Sequence, residues 1–250
     1  MTRMGNLMEK ILARDNLRLA YAKAVRGKRG KTDARAFGAA LEDNLQQMSN
    51  QVRDGTFPLG VCHQFTIYDP KQRLITAPCF RERVLHHAIM NVCEPVFERW
   101  LIHDTYACRA GKGRVAALQR AQHFARRNPF FLNMDIRKYF DSIPHQRLYE
   151  KLCRLFKDSA LLELFRQILD SHSSSQRGLP IGSLTSQHFA NFYLGHLDRF
   201  VKEHLRVRGY VRYMDDFVIW DHCAVAQICR QNGYKSARSK SKPIYVNNLI

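Results

Sequence analysis

The sequence is short of acid, of tryptophan, of paired cysteines and of long apolar runs. Its 22 Asp and Glu face 40 Lys and Arg, a formal charge of +18. That excess argues against a chain serving only small neutral ligands and marks a polyanionic partner, with nucleic acid the leading candidate. Such charge supplies affinity by displacing counterions from phosphates, so binding should weaken steeply with salt, and at this level a passive ribosomal-type binder fits as well as an enzyme. The seven cysteines, Cys62, Cys79, Cys93, Cys108, Cys153, Cys223 and Cys229, contain no C-x-x-C pair, and an odd count cannot close a complete disulfide set. They read as reduced thiols that act mainly as small buried hydrophobes rather than zinc ligands. No apolar stretch approaches the ~18 residues of a spanning helix, and the opening MTRMGNLMEKILARDN lacks a signal peptide's apolar run and cleavage site. The expectation is a soluble cytoplasmic protein with no membrane partner. With 45% hydrophobic residues in 250, a buried core is affordable in one unit or in two joined subdomains.

Apolar residues Leu7, Ile11, Leu17, Ala20 and Ala24 recur at helical spacing and predict a helix over 6–25, followed by the basic loop Arg26-Gly27-Lys28-Arg29-Gly30-Lys31. That loop is either a solvated turn or a contact for template phosphate. A second helix is expected over 33–54, then short strands at 65–68 and 73–76 joined through Asp69-Pro70-Lys71-Gln72. Helices follow over 80–100 and 114–127, the second closed by Asn128-Pro129. The apolar run Phe130 to Ile136 reads as a buried strand ending in acid, 148–170 as one or two core helices, 171–178 as a polar loop and 185–205 as a helix. The β-branched and aromatic stretch 210–220, with an acidic pair at its centre, has the pattern of a hairpin carrying carboxylates at its turn.

Two acidic positions stand at apolar strands: Asp135 in LNMDIRKYF, and Asp215-Asp216 in YVRYMDDFVIW. The order of strand, helices and hairpin permits both to enter one sheet and brings three carboxylates together from eighty residues apart. Three carboxylates in proximity repel. A hard divalent cation resolves this, since magnesium takes oxygen ligands and completes its octahedron with water and substrate phosphates. Two such ions roughly 3.5 to 4 Å apart would activate a primer hydroxyl and stabilise a leaving pyrophosphate. Singly, each acid reads as ordinary turn chemistry. The context argues otherwise, because strand propensity and burial would exclude two acids from this position without a functional reason.

Here the sequence resembles the reverse transcriptases. YMDD within its strands resembles their catalytic hairpin, LNMDIRKYFDSIPH their first catalytic strand, and the match runs in the family's order from about Phe65 to Trp220. The resemblance implies an α+β fold, the fingers and palm of a right-hand polymerase, with an antiparallel palm sheet, helices packed on one face, and the thumb absent or incomplete. It divides the chain into N-terminal helices and fingers with part of the palm over 1–128, palm over 129–221, and a basic tail over 222–250. Asp135, Asp215 and Asp216 become catalytic; with the backbone of Ile136 they would hold two Mg2+ ions, Mn2+ being a substitute. Phe140 falls at the steric gate against the ribose 2′-hydroxyl. Lys71 and Arg73, in a segment similar to the fingers strands, would neutralise the triphosphate, Arg in bidentate fashion. Ile181 and Gly182 would line the nucleotide site, while Arg81, Arg83, Gln187, Tyr213 and Met214 would contact template or primer, with Arg81 and Arg83 making backbone-phosphate contacts or salt bridges.

The stretch RGLPIGSLTSQ carries Ile181 where group II intron, retron and retroviral relatives generally have Gln between Pro and Gly. In that respect it resembles the reverse transcriptases of diversity-generating retroelements, whose bacterial or phage-borne enzymes copy a template-repeat RNA with errors at adenine. The resemblance implies template RNA, primer or cDNA and dNTPs as partners, together with a small basic accessory protein forming a ring. A group II intron or retron enzyme is the alternative, and an inactive nucleic-acid-binding remnant another. Gly178 and Gly182 would let backbone approach nucleic acid closely, and Ser186 and Gln187 would cap the next helix. After Asp221 the family pattern stops, and the tail has five Lys or Arg and no acid. It reads as frameshifted or truncated in preference to a genuine nucleic-acid-binding extension, leaving a sheet edge uncovered.

Overall fold

The computed structural model describes residues 3–68, 72–128, 130–171, 175–221 and 244–245. In chain order the elements are α1 (Met8–Leu12), α2 (Arg14–Ala24), α3 (Thr32–Ala39), α4 (Leu41–Arg53), β1 (Cys62–Tyr68), β2 (Gln72–Pro78), α5 (Phe80–Trp100), α6 (Arg114–Ala125), β3 (Leu132–Asp135), α7 (Tyr139–Ser142), α8 (His145–Leu155), α9 (Ser159–Asp170), α10 (Leu184–Arg199), a π turn (Phe200–His204), β4 (Gly209–Tyr213), β5 (Asp216–Trp220) and β6 (Ile244–Tyr245). Two of the expected long helices are broken. Ala13 has an extended backbone, φ −59° and ψ 136°, so α1 and α2 meet at a corner, and Ala40 at φ −126°, ψ 51° likewise separates α3 from α4. Neither alanine carries a sequence signal for a break. The expected 148–170 segment begins earlier, at His145, and divides at Asp158, whose carboxylate accepts from the Leu161 amide to cap α9. Ser186 and Gln187 lie inside the first turn of α10 rather than capping it.

The chain forms two compact units, one of residues 1–97 with 140–189 and the other of 98–139 with 190–250. The first is a helical body carrying the β1–β2 hairpin. Its centre is a run of ring contacts, Phe97 to Phe156 at 5.5 Å, Phe156 to Phe165 at 5.4 Å and Phe165 to Phe189 at 5.1 Å between centroids, all edge-to-face. Asp158 binds this unit's ends together, because its Oδ2 also accepts from the amides of Leu7 and Met8 at 2.7 and 3.0 Å. Burial would raise that carboxyl, but the backbone amides outweigh it and hold it below its ordinary value.

The second unit is built on a sheet of order β4-β5-β3-β6. β4, β5 and β3 pair antiparallel, with Val211 opposite Val218 and Met134 opposite Phe217. Alternation along the strands gives each face its own residues. On one face Val211, Val218 and Trp220 pack with Ala117, Ala121 and Phe124 of α6, the Phe124 and Trp220 rings 5.5 Å apart. On the other lie the buried Leu132, Met134, Tyr210, Arg212, Phe217 and Ile219, and the polar tips of Tyr210 and Arg212 find their partners on α10. The sheet edge expected to be bare is occupied over two residues: Ile244 and Tyr245 pair parallel with Met134 and Asp135. The rest of the 222–250 tail lies outside the described residues, as does Lys71.

Candidate active site

β3 ends in Asp135, and the register places Asp135 directly opposite Asp216, the first residue of β5. Tyr213 in turn faces Asp216 across the β4–β5 hairpin, whose two loop residues are Met214 and Asp215. Positive φ at the first loop residue only is the φ signature of a type II′ turn, which normally asks for glycine; here Met214 takes φ +59°. A non-glycine residue in that region is strained and persists where its surroundings impose it. The strain marks the residue that carries the acidic pair to the end of the sheet.

The structure therefore brings two of the three expected carboxylates face to face at one sheet end. Like charges directly opposed on an antiparallel ladder are destabilising without a countercharge. Asp215, one residue earlier in the turn, acts electrostatically on the buried Tyr139, raising its phenol together with the larger effect of burial. Among the described residues no group of three or more His, Cys, Asp or Glu side chains is gathered at metal-holding spacing. The donor chemistry nonetheless suits a hard cation: carboxylate oxygens on two adjacent strands, one of them solvent-exposed, with no thiol or imidazole among them. Ile136, the residue after β3, is buried.

Behind the hairpin the unit contains a polar network that the sequence reading missed. Arg212 and Asp198 are both wholly buried. Asp198 accepts from Arg212 Nε and Nη2 at 2.6 Å each, from the Tyr210 hydroxyl at 2.6 Å and from Thr105 Oγ1 at 2.8 Å. Arg212 Nη1 donates to Asn191 Oδ1 at 2.9 Å and to the Met214 carbonyl at 2.8 Å, and Nη2 also donates to the Asn191 carbonyl at 3.0 Å. The pairing holds the guanidinium charged despite burial, which alone would lower its pKa. A signal was available: an arginine in the middle of an apolar strand, and a single acid in FYLGHLDRF.

In the other unit, the Gly178-Leu179-Pro180-Ile181-Gly182-Ser183 loop is fixed chiefly by backbone. Gly178 N donates to the Ile143 carbonyl at 2.9 Å, Leu179 N to the Phe140 carbonyl at 2.9 Å, and Thr76 N to the Ile181 carbonyl at 2.7 Å. Gly182 has φ +124°, and a Cβ there would lie 2.9 Å from both the Ile75 Cγ2 and the Thr76 carbonyl. Glycine is thus required on conformational and on steric grounds, against this chain's own β2. Ser183 Oγ is 3.1 Å from His86 Nδ1, and Glu82 Oε2 accepts from the Gly60 amide at 3.0 Å, with Ser183, His86 and Glu82 buried. Beside the loop is a cleft of about 320 Å3 lined among others by Gln64, Thr76, Asp141, Arg177 and Gly178.

Of the remaining expected site residues, Arg73 is exposed on β2 opposite Ile67. Phe140 is partly buried, whereas the neighbouring Tyr139 is sealed, its hydroxyl donating to the Ala190 carbonyl at 2.5 Å. Arg81 stacks over Phe57 and donates to Gln47 Oε1, and Arg83 donates to the Ala24 carbonyl. Gln187 is partly buried in α10, and Tyr213 is exposed at the hairpin.

The family model for reverse transcriptase (RNA-dependent DNA polymerase) matches residues 68–242, and the chain belongs to that family. Over 138 residues it is 27% identical to an uncharacterized 91 kDa protein in a cob intron of Schizosaccharomyces pombe, which covers 52% of this chain and 17% of that protein. It is 23% identical over 191 residues to the group II intron-encoded protein LtrA of Lactococcus lactis subsp. cremoris, covering 72% of this chain and 32% of the relative. Among solved structures, a chain of a partial Cas6-RT-Cas1–Cas2 complex aligns over 92% of this chain and 42% of its own, with a TM-score of 0.53 and 23% identity, a likeness of fold. The chain thus spans less than half the length of each protein compared.

Proposed function

We propose that this chain is the catalytic part of an RNA-directed DNA polymerase of the group II intron-encoded type. The observation that carries the reading is the opposition of Asp135 and Asp216, with Asp215 at the adjoining turn. In this reading the three carboxylates hold two magnesium ions, assisted by the Ile136 carbonyl. The bound ions supply Lewis-acid stabilisation of charge developing on the attacking and leaving oxygens. The residues' own part is to present hard oxygen ligands from two strands of one rigid sheet and to orient them before substrate arrives. Arg73 and Lys71 neutralise the triphosphate, and Phe140 excludes the ribose 2′-hydroxyl, roles carried over from the family resemblance. The +18 charge supports template RNA and primer as partners. The test is Mg2+-dependent extension of a DNA primer annealed to RNA, compared with Asp215→Ala. A loss of at least ~100-fold is expected from removing one such group. Extension that survives in the variant rejects the assignment, and salt-sensitive binding without extension in the parent favours a non-catalytic remnant.

One observation favours a more particular reading, that of a diversity-generating retroelement enzyme with its accessory protein ring: Ile181 stands where Gln is general in the other groups. Gln can hydrogen-bond near the templating base, whereas Ile offers shape alone, so discrimination between right and wrong pairs shrinks. Ile181→Gln should then lower misincorporation opposite adenine. Equal error rates in the two proteins reject this reading and leave the polymerase assignment standing.

A further inference from the structure

One buried guanidinium, that of Arg212, reaches from the scaffold to the acidic turn. Arg212 has five N–H donors, and the structure gives each an acceptor: the two Asp198 oxygens, Asn191 Oδ1, the Asn191 carbonyl and the Met214 carbonyl. Four of these lie on α10. The fifth is in the two-residue turn that carries Asp215. Asn191 is itself fixed, donating through Nδ2 to the Ala107 carbonyl at 2.7 Å. The main chain of Arg212 is held from the opposite direction, its amide donating to the Asp104 carbonyl at 3.0 Å and its carbonyl accepting from the Tyr106 amide at 2.9 Å. The turn is thus tied through one planar, fully committed group to a helix and to the 104–107 loop.

We infer that Arg212, locked by Asp198 and Asn191, is a positioning residue for the acidic turn: its hydrogen bond to the Met214 carbonyl fixes that turn in the geometry that offers Asp215 and Asp216 to divalent cations. This rests on the polymerase reading above. The physical grounds are the strained Met214, φ +59°, and the bond to that residue's own carbonyl. A left-handed non-glycine residue relaxes unless something over-determines it, and the Arg212 guanidinium holds it by its own carbonyl. A lysine would keep the charge but not the fork, because an ammonium has three donors around one nitrogen where this site uses five spread over three. The role resembles that of outer groups that orient metal ligands, whose loss typically costs ~10 to 100-fold in metal affinity or activity.

The experiment uses the full chain and Arg212→Lys. Mn2+ binding is measured by electron paramagnetic resonance without nucleotide, primer extension over a Mg2+ titration, and folding by the cooperativity of thermal melting. The expected result is a folded variant that binds Mn2+ at least ~10-fold more weakly and needs correspondingly more Mg2+ for half-maximal extension, while binding of primer–template to the protein without metal is unchanged. A folded variant with the parent's Mn2+ affinity and Mg2+ dependence overturns the inference. If Arg212→Lys does not fold, Asn191→Leu takes its place. That variant leaves the Arg212–Asp198 pair intact and removes the side-chain acceptor beside the Met214 bond, so the same two outcomes decide. A parent that neither binds Mn2+ nor extends a primer removes the polymerase reading itself, which is a different failure from an active parent with an indifferent variant.

Discussion

Asp198 and the Asp135–Asp216 pair are carboxylates of the same compact unit in opposite circumstances. Asp198 is buried and receives four hydrogen bonds, two from a guanidinium and two from hydroxyls. Asp135 and Asp216 stand at the solvent end of the sheet, each facing a group of its own sign. The first arrangement is complete in the protein alone, since a buried charge survives only when paired and hydrogen-bonded. The second is a repulsion maintained by strand register, which folding alone would not favour. What distinguishes the two in this unit is therefore burial: Asp198 is sealed among its donors, whereas Asp216 opens to solvent opposite a second carboxylate.

The contrast is broken most forcefully at Asp198. Asp198→Ala strands the Arg212 charge in the interior, and removing one partner of a buried pair costs about 3–5 kcal/mol. Urea unfolding should show that loss in the midpoint. A change below about 1 kcal/mol would mean that Asp198 is no more structural than a surface acid, and the distinction would fail. A similar scale applies in the other unit, where the loop is secured by close backbone approach instead of charge. Gly182→Ala introduces a Cβ 2.9 Å from the Thr76 carbonyl at φ +124°. The expected loss is about 1–3 kcal/mol, read from the same denaturation curves.

Much of this was legible in the sequence, for reasons that can be traced to particular residues. The 80–100 helix and the 210–220 hairpin were readable because periodicity and β-branched content act locally, and the chain order permits Asp135 and Asp216 to share a sheet. The breaks at Ala13 and Ala40 were not readable. Both are good helix formers, and the residues Ile11, Leu17 and Leu45 on the helices either side of the bends are buried in the core. The Arg212 network was missed for a different reason. Its members Thr105, Asn191, Asp198 and Arg212 are dispersed along the chain, and spacing carries no information about a side chain that reaches across elements. The positive φ of Met214 in the turn was likewise invisible, because a methionine carries no signal for it.

Asp104 lies between the two extremes and gives the next smaller effect. It is buried, accepts from Arg120 Nε at 2.8 Å and pairs with the exposed His103. Burial would raise its carboxyl, but the hydrogen bonds from Arg120 and His103 outweigh that and hold it below the ordinary value of 3.8. A depressed folded-state value means that the unfolded chain takes up the proton first. The stabilisation is therefore present above about pH 4 and is lost as pH falls through the folded value. Asp104→Asn should flatten the acid limb of stability measured by urea midpoint between about pH 7 and about pH 3, with both proteins converging at the acid end. An unchanged slope would place Asp104 with the exposed acids.

The smallest effect should have the opposite sign. Asp216→Asn removes one of two like charges held opposite each other, so in chelator the variant should be more stable than the parent, by roughly 0.2–1 kcal/mol. Divalent cation should then reverse the order, because a ligand bound by the folded state alone stabilises it by mass action while the variant has lost a ligand oxygen's charge. Thermal melting of both proteins, with chelator and with Mg2+, measures the crossing. If Asp216→Asn is destabilising in chelator, Asp216 has a countercharge within the chain and belongs with Asp198. If it is stabilising and the parent alone responds to Mg2+, the sheet end is completed by a cation from solution.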